Sequence, residues 1–395
     1  MKALLNSKYF YVLFPIWLPL GLVLFFFNVP AGFYPSLLTL LFIVTGIFIV
    51  SAIFFPGGIL VDRSYAAIMA GKRHRQFVWL LCAAIILLGP FDVLVNGFKL
   101  ANPLTYAEFH GIGRYIRHVS SLCWALVPIA FIYCKSRKLR LALIVYAIVF
   151  PILIVDRNRL FMSFFSLVFC IALAPPDADA APRAKRKGRY NTLIIFLVLA
   201  TIFSLLGVYR SGDSFIVESS GKVLASGSFP LRALFFELPV LMQQIVLYIA
   251  VPTFNFATML FMGFRNKEFL QSQFSPFSRD DAYQFAPVMM ERFNVGTEFY
   301  PWLLYGGVPY VVFSVTVLVL SFFLAVRLLR HFPNVFSLLI FLKISYSVLF
   351  MGFAPQFFIL LNLIFIVLMA ALWTCSSVLQ KLTTSNNIEF SGKLT

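Results

Sequence analysis

The strongest constraint on this chain is a series of apolar runs, each close to the ~20 residues that a helix needs to cross a bilayer. Hydrophobic residues make up 61% of the sequence and charged residues only 12%, whereas about a quarter of the residues in a soluble chain are charged. We place spans at about 9–27, 37–55, 78–95, 119–134, 141–155, 160–174, 192–208, 302–326, 335–353 and 356–373. The sequence therefore predicts an all-α polytopic membrane protein with about ten transmembrane helices.

Basic residues orient these spans, because Lys and Arg concentrate in the short loops on the cytoplasmic side of a membrane. They occupy alternate connections, including a basic linker at 175–191. The basic set is Arg63, Lys72, Arg73, Arg75, Lys135, Arg137, Lys138, Arg140, Arg183, Lys185, Arg186, Lys187, Arg189, Arg327 and Arg330. We predict that both termini, including a tail at 374–395, are cytoplasmic. Since this distribution explains the net charge of +17, a nucleic-acid partner is not needed.

The predicted organisation has six spans within 1–174, a seventh at 192–208 after the linker, and three more within 302–373. The remaining connections, at 28–36, 96–118, 156–159, 209–301 and the Ala354–Pro355 turn, are predicted to face the outside of the membrane. The interval 209–301 is much longer than the others. We expect it to contribute most of the functional site.

The outside interval contains a run at 232–262 that is apolar enough to cross the membrane. A single crossing would place Arg327 and Arg330 outside, against the charge rule. We therefore predict a non-spanning element and leave three forms open: a re-entrant helix, an interfacial helix, or a helical pair. Pro239 and Pro252 interrupt this run, and irregular backbone at membrane depth is tolerated where it lines a cavity.

Charged residues at the outer boundary are the main functional candidates. Asp156, Arg157 and Arg159 lie between two apolar runs, and such charges usually face a cavity or pair with each other. Arg157 or Arg159 is suited to bind a pyrophosphate, and an Asp–Arg pair that fixes a tight turn is the alternative. Arg210, just beyond the seventh span, either snorkels to the interface or joins these arginines in stabilising a departing pyrophosphate.

Acidic candidates for a general base are less well defined. Glu237 follows Arg232 by five residues, so the two form either an interfacial ion pair or a substrate cation with a base for a sugar hydroxyl. Asp92 lies late in the third span, where a carboxylate is a functional candidate by default. Lys99 and Arg114 are its candidate partners.

Several signals are absent from the sequence. The five cysteines form no CxxC pair and no Cys/His cluster, which argues against a disulfide framework or a zinc site. No Walker loop is present, so direct use of ATP is not expected. The first outside loop, Asn28–Ser36, has no acid, unlike many glycosyltransferases that place an acidic metal motif there. We expect no metal and no cofactor.

Three stretches resemble the Wzy-type oligosaccharide repeat-unit polymerases, which build O-antigen and capsule chains. They are Asp156–Leu160 between two spans, Val208–Arg210 at the start of the large loop, and Asn294–Phe299 leading into Leu304–Gly307. Many relatives carry an Asp-Phe-Gly run where this chain has Tyr305-Gly306-Gly307. The length and span layout also resemble that family, whose fold is GT-C-like.

The resemblance implies a metal-independent, inverting glycosyltransferase on the periplasmic face of a bacterial inner membrane. A growing glycan would leave its undecaprenyl pyrophosphate and join an incoming lipid-linked repeat unit, with a chain-length regulator protein as an expected partner. The candidate site residues are the catalytic acids Glu237 and Asp156 and the substrate-binding residues Arg157, Arg159, Arg210, Arg232, Arg292, Thr297 and Tyr300. The alternatives are an O-antigen ligase, which would require His110 or His118, and a lipid-linked glycan flippase.

Overall fold

The computed structural model describes residues 2–59, 66–68, 74–101, 112–173, 201–202, 205–206, 209, 230–275 and 296–391. The side chains of Arg114 and of residues 230–233 and 380–391 are outside that description. The predicted linker 175–191, most of the predicted span 192–208, and the loop segments 210–229 and 276–295 also lie outside the described residues.

All regular elements in the described ranges are helices, as the sequence predicts. Short π-helical and 3₁₀ segments at Leu13–Trp17, Ala31–Phe33 and Ser121–Ala125 connect some of them. The α-helices are α1 (Lys2–Asn6), α2 (Phe10–Val12), α3 (Leu18–Phe26), α4 (Tyr34–Phe54), α5 (Arg75–Asn96), α6 (Ile112–Ser120), α7 (Leu126–Tyr133), α8 (Arg137–Leu153), α9 (Arg157–Leu173), α10 (Pro230–Glu237), α11 (Val240–Met262), α12 (Lys267–Phe274), α13 (Tyr300–Gly306), α14 (Val308–His331), α15 (Val335–Phe350) and α16 (Leu360–Ser391).

Six helical stretches in the described ranges are long and apolar enough to cross a membrane. They are Ala31–Phe54, Arg75–Asn96, Tyr115–Tyr133, Val240–Met262, Val308–His331 and Leu360–Leu379. Helical structure suits these sequences because a helix satisfies its own backbone hydrogen bonds where water is absent. The fold therefore has the character of a helical membrane protein. The stretches Phe10–Phe26 and Val335–Phe350 are apolar but shorter.

Helices α8 and α9 form at two of the predicted spans and have 17 residues each. At 1.5 Å per residue each is roughly 25 Å long, slightly less than the ~30 Å of a bilayer core. Only residues 154–156 connect them, and Val155 takes a positive φ of 54° to make this sharp turn. The hydroxyl of Ser163 donates to the carbonyl of Ala147 at 2.8 Å, which joins the two helices below the turn.

The final helix, α16, continues well beyond the predicted end of the last span at residue 373. It has 32 residues and ends at Ser391, so most of the predicted tail at 374–395 is helical. Leu360–Leu379 is the part apolar enough to cross a membrane.

The chain forms two compact units, each assembled from separate segments of the sequence. The first unit contains Met1–Leu60, Pro176–Leu324 and Ile344–Asn362. The second contains Val61–Pro175, Ala325–Lys343 and Leu363–Thr395.

In the first unit, the apolar run at 232–262 forms the short helix α10 and the 23-residue helix α11. Two phenylalanines contact this run, one at the end of α3 and one just before α4. The ring of Phe26 lies 5.8 Å from that of Phe235 in α10, and the ring of Phe33 lies 4.6 Å from that of Phe261 near the end of α11. At 1.5 Å per residue, α11 is roughly 34 Å long, and the segment 26–33 packs against residues near both of its ends.

Candidate functional site

The turn between α8 and α9 is organised by Asp156. Its side-chain Oδ1 accepts the backbone N–H of Arg159 at 3.2 Å, which is the hydrogen bond that caps the first turn of a helix. Its Oδ2 lies 2.7 Å from Nε of Arg159 and 3.8 Å from Nη2 of Arg117. One carboxylate therefore ends the turn, begins α9 and pairs with two guanidinium groups.

A second carboxylate, Asp92, meets the same cluster from α5. Its side chain is completely buried within a candidate span. Its Oδ2 accepts the hydroxyl of Ser120 at 2.5 Å and lies 3.9 Å from Nη1 of Arg159, and its Oδ1 accepts Nδ2 of Asn96 at 2.6 Å. Each oxygen of this buried anion thus has a hydrogen-bond donor, as a buried charge requires.

Arg159 joins the two carboxylates into one network. Its Nη1 donates to the hydroxyl oxygen of Ser120 at 3.2 Å, and its Nη2 donates to the carbonyl of Arg117 at 3.3 Å. Ser120 accepts from Arg159 while it donates to Asp92, so it links the two charges through one hydroxyl group. We call Asp92, Arg117, Ser120, Asp156 and Arg159 the arginine cluster.

The arginine cluster is shielded from water and balanced in charge. The side chains of Arg117 and Arg159 are 9% and 10% exposed, and that of Asp156 is 21% exposed. Two carboxylates face two guanidinium groups, which offsets the cost of burying each charge. Arg157, the immediate neighbour in the chain, is also buried, so this region carries three arginines and two acids.

The predicted site residues are brought together only in part. Arg159 and Asp156 are in direct contact, and Arg157 lies beside them in sequence. Glu237 is exposed at the end of α10, in the first unit. Arg210 and Arg292 lie outside the described residues, and Arg232 is described only in its backbone.

The contacts of Asp156 fit the alternative interpretation of the sequence, in which an Asp–Arg pair fixes the turn. Both of its oxygens are engaged, one by a backbone N–H group and the other by guanidinium groups. A general base needs an oxygen that can reach a substrate proton. In this conformation, Asp156 is arranged to position Arg159 and Arg117 rather than to remove a proton.

Sequence reasoning did not place Arg117 or Asp92 in the predicted site. Lys99 and Arg114 were the candidate partners of Asp92, and the side chain of Arg114 lies outside the described residues. The structure shows Asp92 in contact with Ser120, Asn96 and Arg159. A carboxylate inside a span signals that a partner must exist. That signal does not identify the partners, and two of them, Ser120 and Arg159, come from the other helices α6 and α9.

A second buried carboxylate, Glu298, lies in the first unit and has a different set of partners. It is completely buried. Its Oε2 accepts the backbone N–H groups of Gln356 at 2.5 Å and Phe357 at 2.9 Å, and its Oε1 accepts that of Phe358 at 2.9 Å. Its own N–H donates to the carbonyl of Met351 at 2.7 Å. We call Glu298 with residues 351–358 the glutamate latch.

The predicted substrate residues Thr297 and Tyr300 flank Glu298. Both are fully buried, and the backbone N–H of Tyr300 donates to the carbonyl of Thr297 at 3.1 Å. Burial raises the pKa of the Tyr300 hydroxyl above its ordinary value, because the phenolate would lose its hydration. Tyr300 therefore remains a neutral hydroxyl group at physiological pH.

Within the described ranges, no group of three or more His, Cys, Asp or Glu side chains has an arrangement that could hold a metal ion. The chain matches no family model, no curated protein and no solved structure.

Proposed function

We propose that this chain is an oligosaccharide repeat-unit polymerase of a bacterial inner membrane. In this proposal, it transfers a growing glycan from undecaprenyl pyrophosphate to a lipid-linked repeat unit on the periplasmic face. The resemblance of Asp156–Leu160, Val208–Arg210 and Asn294–Phe299 to the Wzy-type polymerases motivates the proposal. The arginine cluster is the structural observation that carries it.

The arginine cluster supports binding of a pyrophosphate at the turn between α8 and α9. Guanidinium groups form paired hydrogen bonds with phosphate oxygens, and such bonds are strong where water is excluded. Arg117 and Arg159 come from separate helices and meet at Asp156. The resting pairs with Asp156 and Asp92 keep both cations oriented before a substrate arrives.

The proposed reaction assigns the cluster to the leaving group. The acceptor hydroxyl oxygen attacks the anomeric carbon of the growing glycan, and the bond from that carbon to the pyrophosphate oxygen breaks. Negative charge then develops on the pyrophosphate, where fixed cations lower the barrier. The hydroxyl proton passes to a general base, a role that the sequence interpretation assigns to Glu237.

The proposed topology has about ten spans, with the α10–α11 run as a non-crossing element on the periplasmic side. The charge rule supports this, because a single crossing would place Arg327 and Arg330 outside. Since α11 itself is long enough to cross a membrane, its topology needs a direct test. Basic residues place the opposite connections and both termini in the cytoplasm.

The topology is tested by cysteine labelling in intact cells, in a Cys375→Ser background because the other four cysteines are buried. We expect Glu237→Cys and Lys267→Cys, on the two sides of α11, to react with an impermeant maleimide from outside. Arg330→Cys, on the predicted cytoplasmic side, serves as the control and should react only after lysis. Labelling of positions 237 and 267 from opposite sides would show that α11 crosses the membrane.

The function is tested by deleting the gene in its native host and separating the surface glycan on a gel. A polymerase deletion should remove the ladder of long chains and leave a single repeat unit attached to its carrier core. Loss of all surface glycan would favour a ligase or a flippase instead. An unchanged ladder would exclude all three functions.

The site is tested separately with farnesyl pyrophosphate as a soluble probe for the isoprenyl pyrophosphate. Arg159→Lys keeps the positive charge but loses the paired hydrogen bonds, so we expect it to weaken binding about tenfold. Arg140→Lys is the matched control, since Nη2 of Arg140 bonds only the carbonyl of Cys134 among the contacts described for that atom. If the Arg159→Lys variant and the parent bind farnesyl pyrophosphate with equal affinity, the arginine cluster does not bind the pyrophosphate.

A further inference from the structure

Three side chains near the glutamate latch carry polar atoms that are buried and have no hydrogen-bond partner within the described part of the chain. These atoms are Oγ1 of Thr297, Nε1 of Trp302 and Oδ1 of Asn362. Thr297 and Asn362 are completely buried, and Trp302 is partly exposed. A buried polar group without a partner is destabilising, so three of them in one region require an explanation.

All three residues are connected to the same short segment, residues 356–358. Thr297 immediately precedes Glu298, which accepts the N–H groups of that segment. The ring of Trp302 lies 5.1 Å from the ring of Phe358, and Nδ2 of Asn362 donates to the carbonyl of Phe357 at 3.0 Å. The three residues therefore lie in one region of the first unit.

The backbone around these atoms is firmly held. Glu298 fixes the N–H groups of residues 356–358, and its own N–H bonds Met351. A region that is loosely packed would relieve an unpaired hydroxyl by a small shift. Here the surrounding hydrogen bonds oppose that shift, so the polar atoms stay without a hydrogen-bond partner at a cost in stability.

The chemistry of the three atoms indicates their ligand. Trp302 offers a donor, Asn362 offers an acceptor, and Thr297 offers either. Aromatic rings of Phe274, Phe313 and Phe358 surround Trp302 at centroid distances of 6.5, 5.5 and 5.1 Å. Aromatic walls with a few placed neutral polar groups are typical of sites for uncharged organic ligands.

We propose that Thr297, Trp302 and Asn362 form a subsite for one neutral sugar unit of the lipid-linked glycan. A sugar ring supplies hydroxyl groups that both donate and accept, and its C–H faces suit aromatic side chains. The proposal rests on the proposed polymerase function and adds the part of the substrate that this unit binds. Because the three polar atoms are covered in this structure, the partly exposed Trp302 ring must move for the sugar to bind.

The test uses substitutions that remove an unpartnered polar atom. Thr297→Val removes the hydroxyl and nearly keeps the side-chain shape, and Trp302→Phe removes the indole N–H together with one ring. We expect the melting temperature of Thr297→Val in detergent to equal or exceed that of the parent, because no hydrogen bond is lost within the protein. We expect each substitution to lower the yield of long chains by about tenfold in the native host, since a bond to the sugar is lost.

Thr258→Val is the matched control. Thr258 is buried in the same unit, and its hydroxyl donates to the carbonyl of Phe254 at 2.9 Å. Its replacement should leave the glycan ladder unchanged. For direct binding, the probe is the lipid-linked repeat unit extracted from the deletion strain, measured by the rise in melting temperature that it produces.

The outcomes separate the subsite from the function itself. If the gene deletion leaves the ladder intact, both the proposed function and the sugar subsite are wrong. If the deletion removes the ladder while Thr297→Val and Trp302→Phe retain the parental ladder, the subsite alone is wrong. For Thr297→Val, a lower melting temperature together with a lost ladder would assign a structural role to this hydroxyl and overturn the subsite.

Discussion

The arginine cluster and the glutamate latch both contain a completely buried carboxylate, yet the carboxylate is stabilised by different groups in each. Asp92 is met by side chains, namely Ser120, Asn96 and Arg159. Glu298 is met by three consecutive backbone N–H groups. Side-chain partners can rotate toward a new anion, whereas backbone groups remain fixed with the fold. The first arrangement is suited to bind and release a ligand, and the second to hold a loop.

The largest expected effect is at the latch. Glu298→Ala leaves three backbone N–H groups without an acceptor, each costing about 1–3 kcal/mol of the free energy of unfolding. We therefore expect the variant to melt far below the parent or to fail to accumulate in the membrane. Thermal unfolding in detergent measures this. Glu237→Ala, an exposed glutamate of the same unit, is the control, and equal melting of the two variants would contradict the latch.

The next largest effect is at Arg159. Arg159→Ala removes the cation shared by Asp92 and Asp156, and loss of one partner of a buried ion pair typically costs about 3–5 kcal/mol. The melting temperature should fall clearly. The double variant Arg159→Ala with Asp92→Asn should recover part of that loss, because one unpaired charge is removed with it. A double variant that is less stable than Arg159→Ala would show that Asp92 does not depend on Arg159.

Two substitutions of Asp156 distinguish its role as the cap of α9 from its role in pairing with Arg159 and Arg117. Asp156→Ala removes the cap of α9, with an expected loss of about 1 kcal/mol, in addition to the ion pairs. Asp156→Asn keeps an oxygen that accepts the N–H of Arg159. We expect Asn to be the more stable of the two and still to weaken binding of farnesyl pyrophosphate, because the guanidinium groups lose their anchor. Equal melting of the Ala and Asn variants would exclude the cap.

The smallest expected effect is at Ser120, which links Arg159 to Asp92. Ser120→Ala removes a hydroxyl that donates a hydrogen bond to the Asp92 carboxylate and accepts one from Arg159, at a cost of about 1.5–3 kcal/mol because the bond is to a charged group. The direct approach of Arg159 to Asp92 remains. A melting temperature well below that expectation would make Ser120 a main support of the cluster rather than a link within it. Ser163→Ala, which loses one helix-to-helix bond, provides a scale for comparison.

These two regions show how far sequence reasoning extends. The run Asp156–Arg159 between two apolar segments predicted a tight turn with an ion pair, and the structure contains both. Glu298 lies within Asn294–Phe299, one of the stretches that carry the family resemblance, but the sequence assigns no role to its side chain. Its partners are backbone groups of residues 356–358, and any residue except proline supplies an N–H group. Such a contact leaves no side-chain pattern to detect.

The sequence by itself determined the all-helical class, the places of most described helices and the membrane character of the chain. Those properties depend on local apolar content and on the need of each segment to satisfy its own backbone. The tertiary structure decided which charges meet. Asp92, Arg117 and Arg159 come from three helices, and their approach depends on how α5, α6 and α9 pack, which no local pattern encodes. The partners of buried charges are a property of packing, because the cost of an unpaired charge fixes that a partner must exist but not where it comes from in the chain.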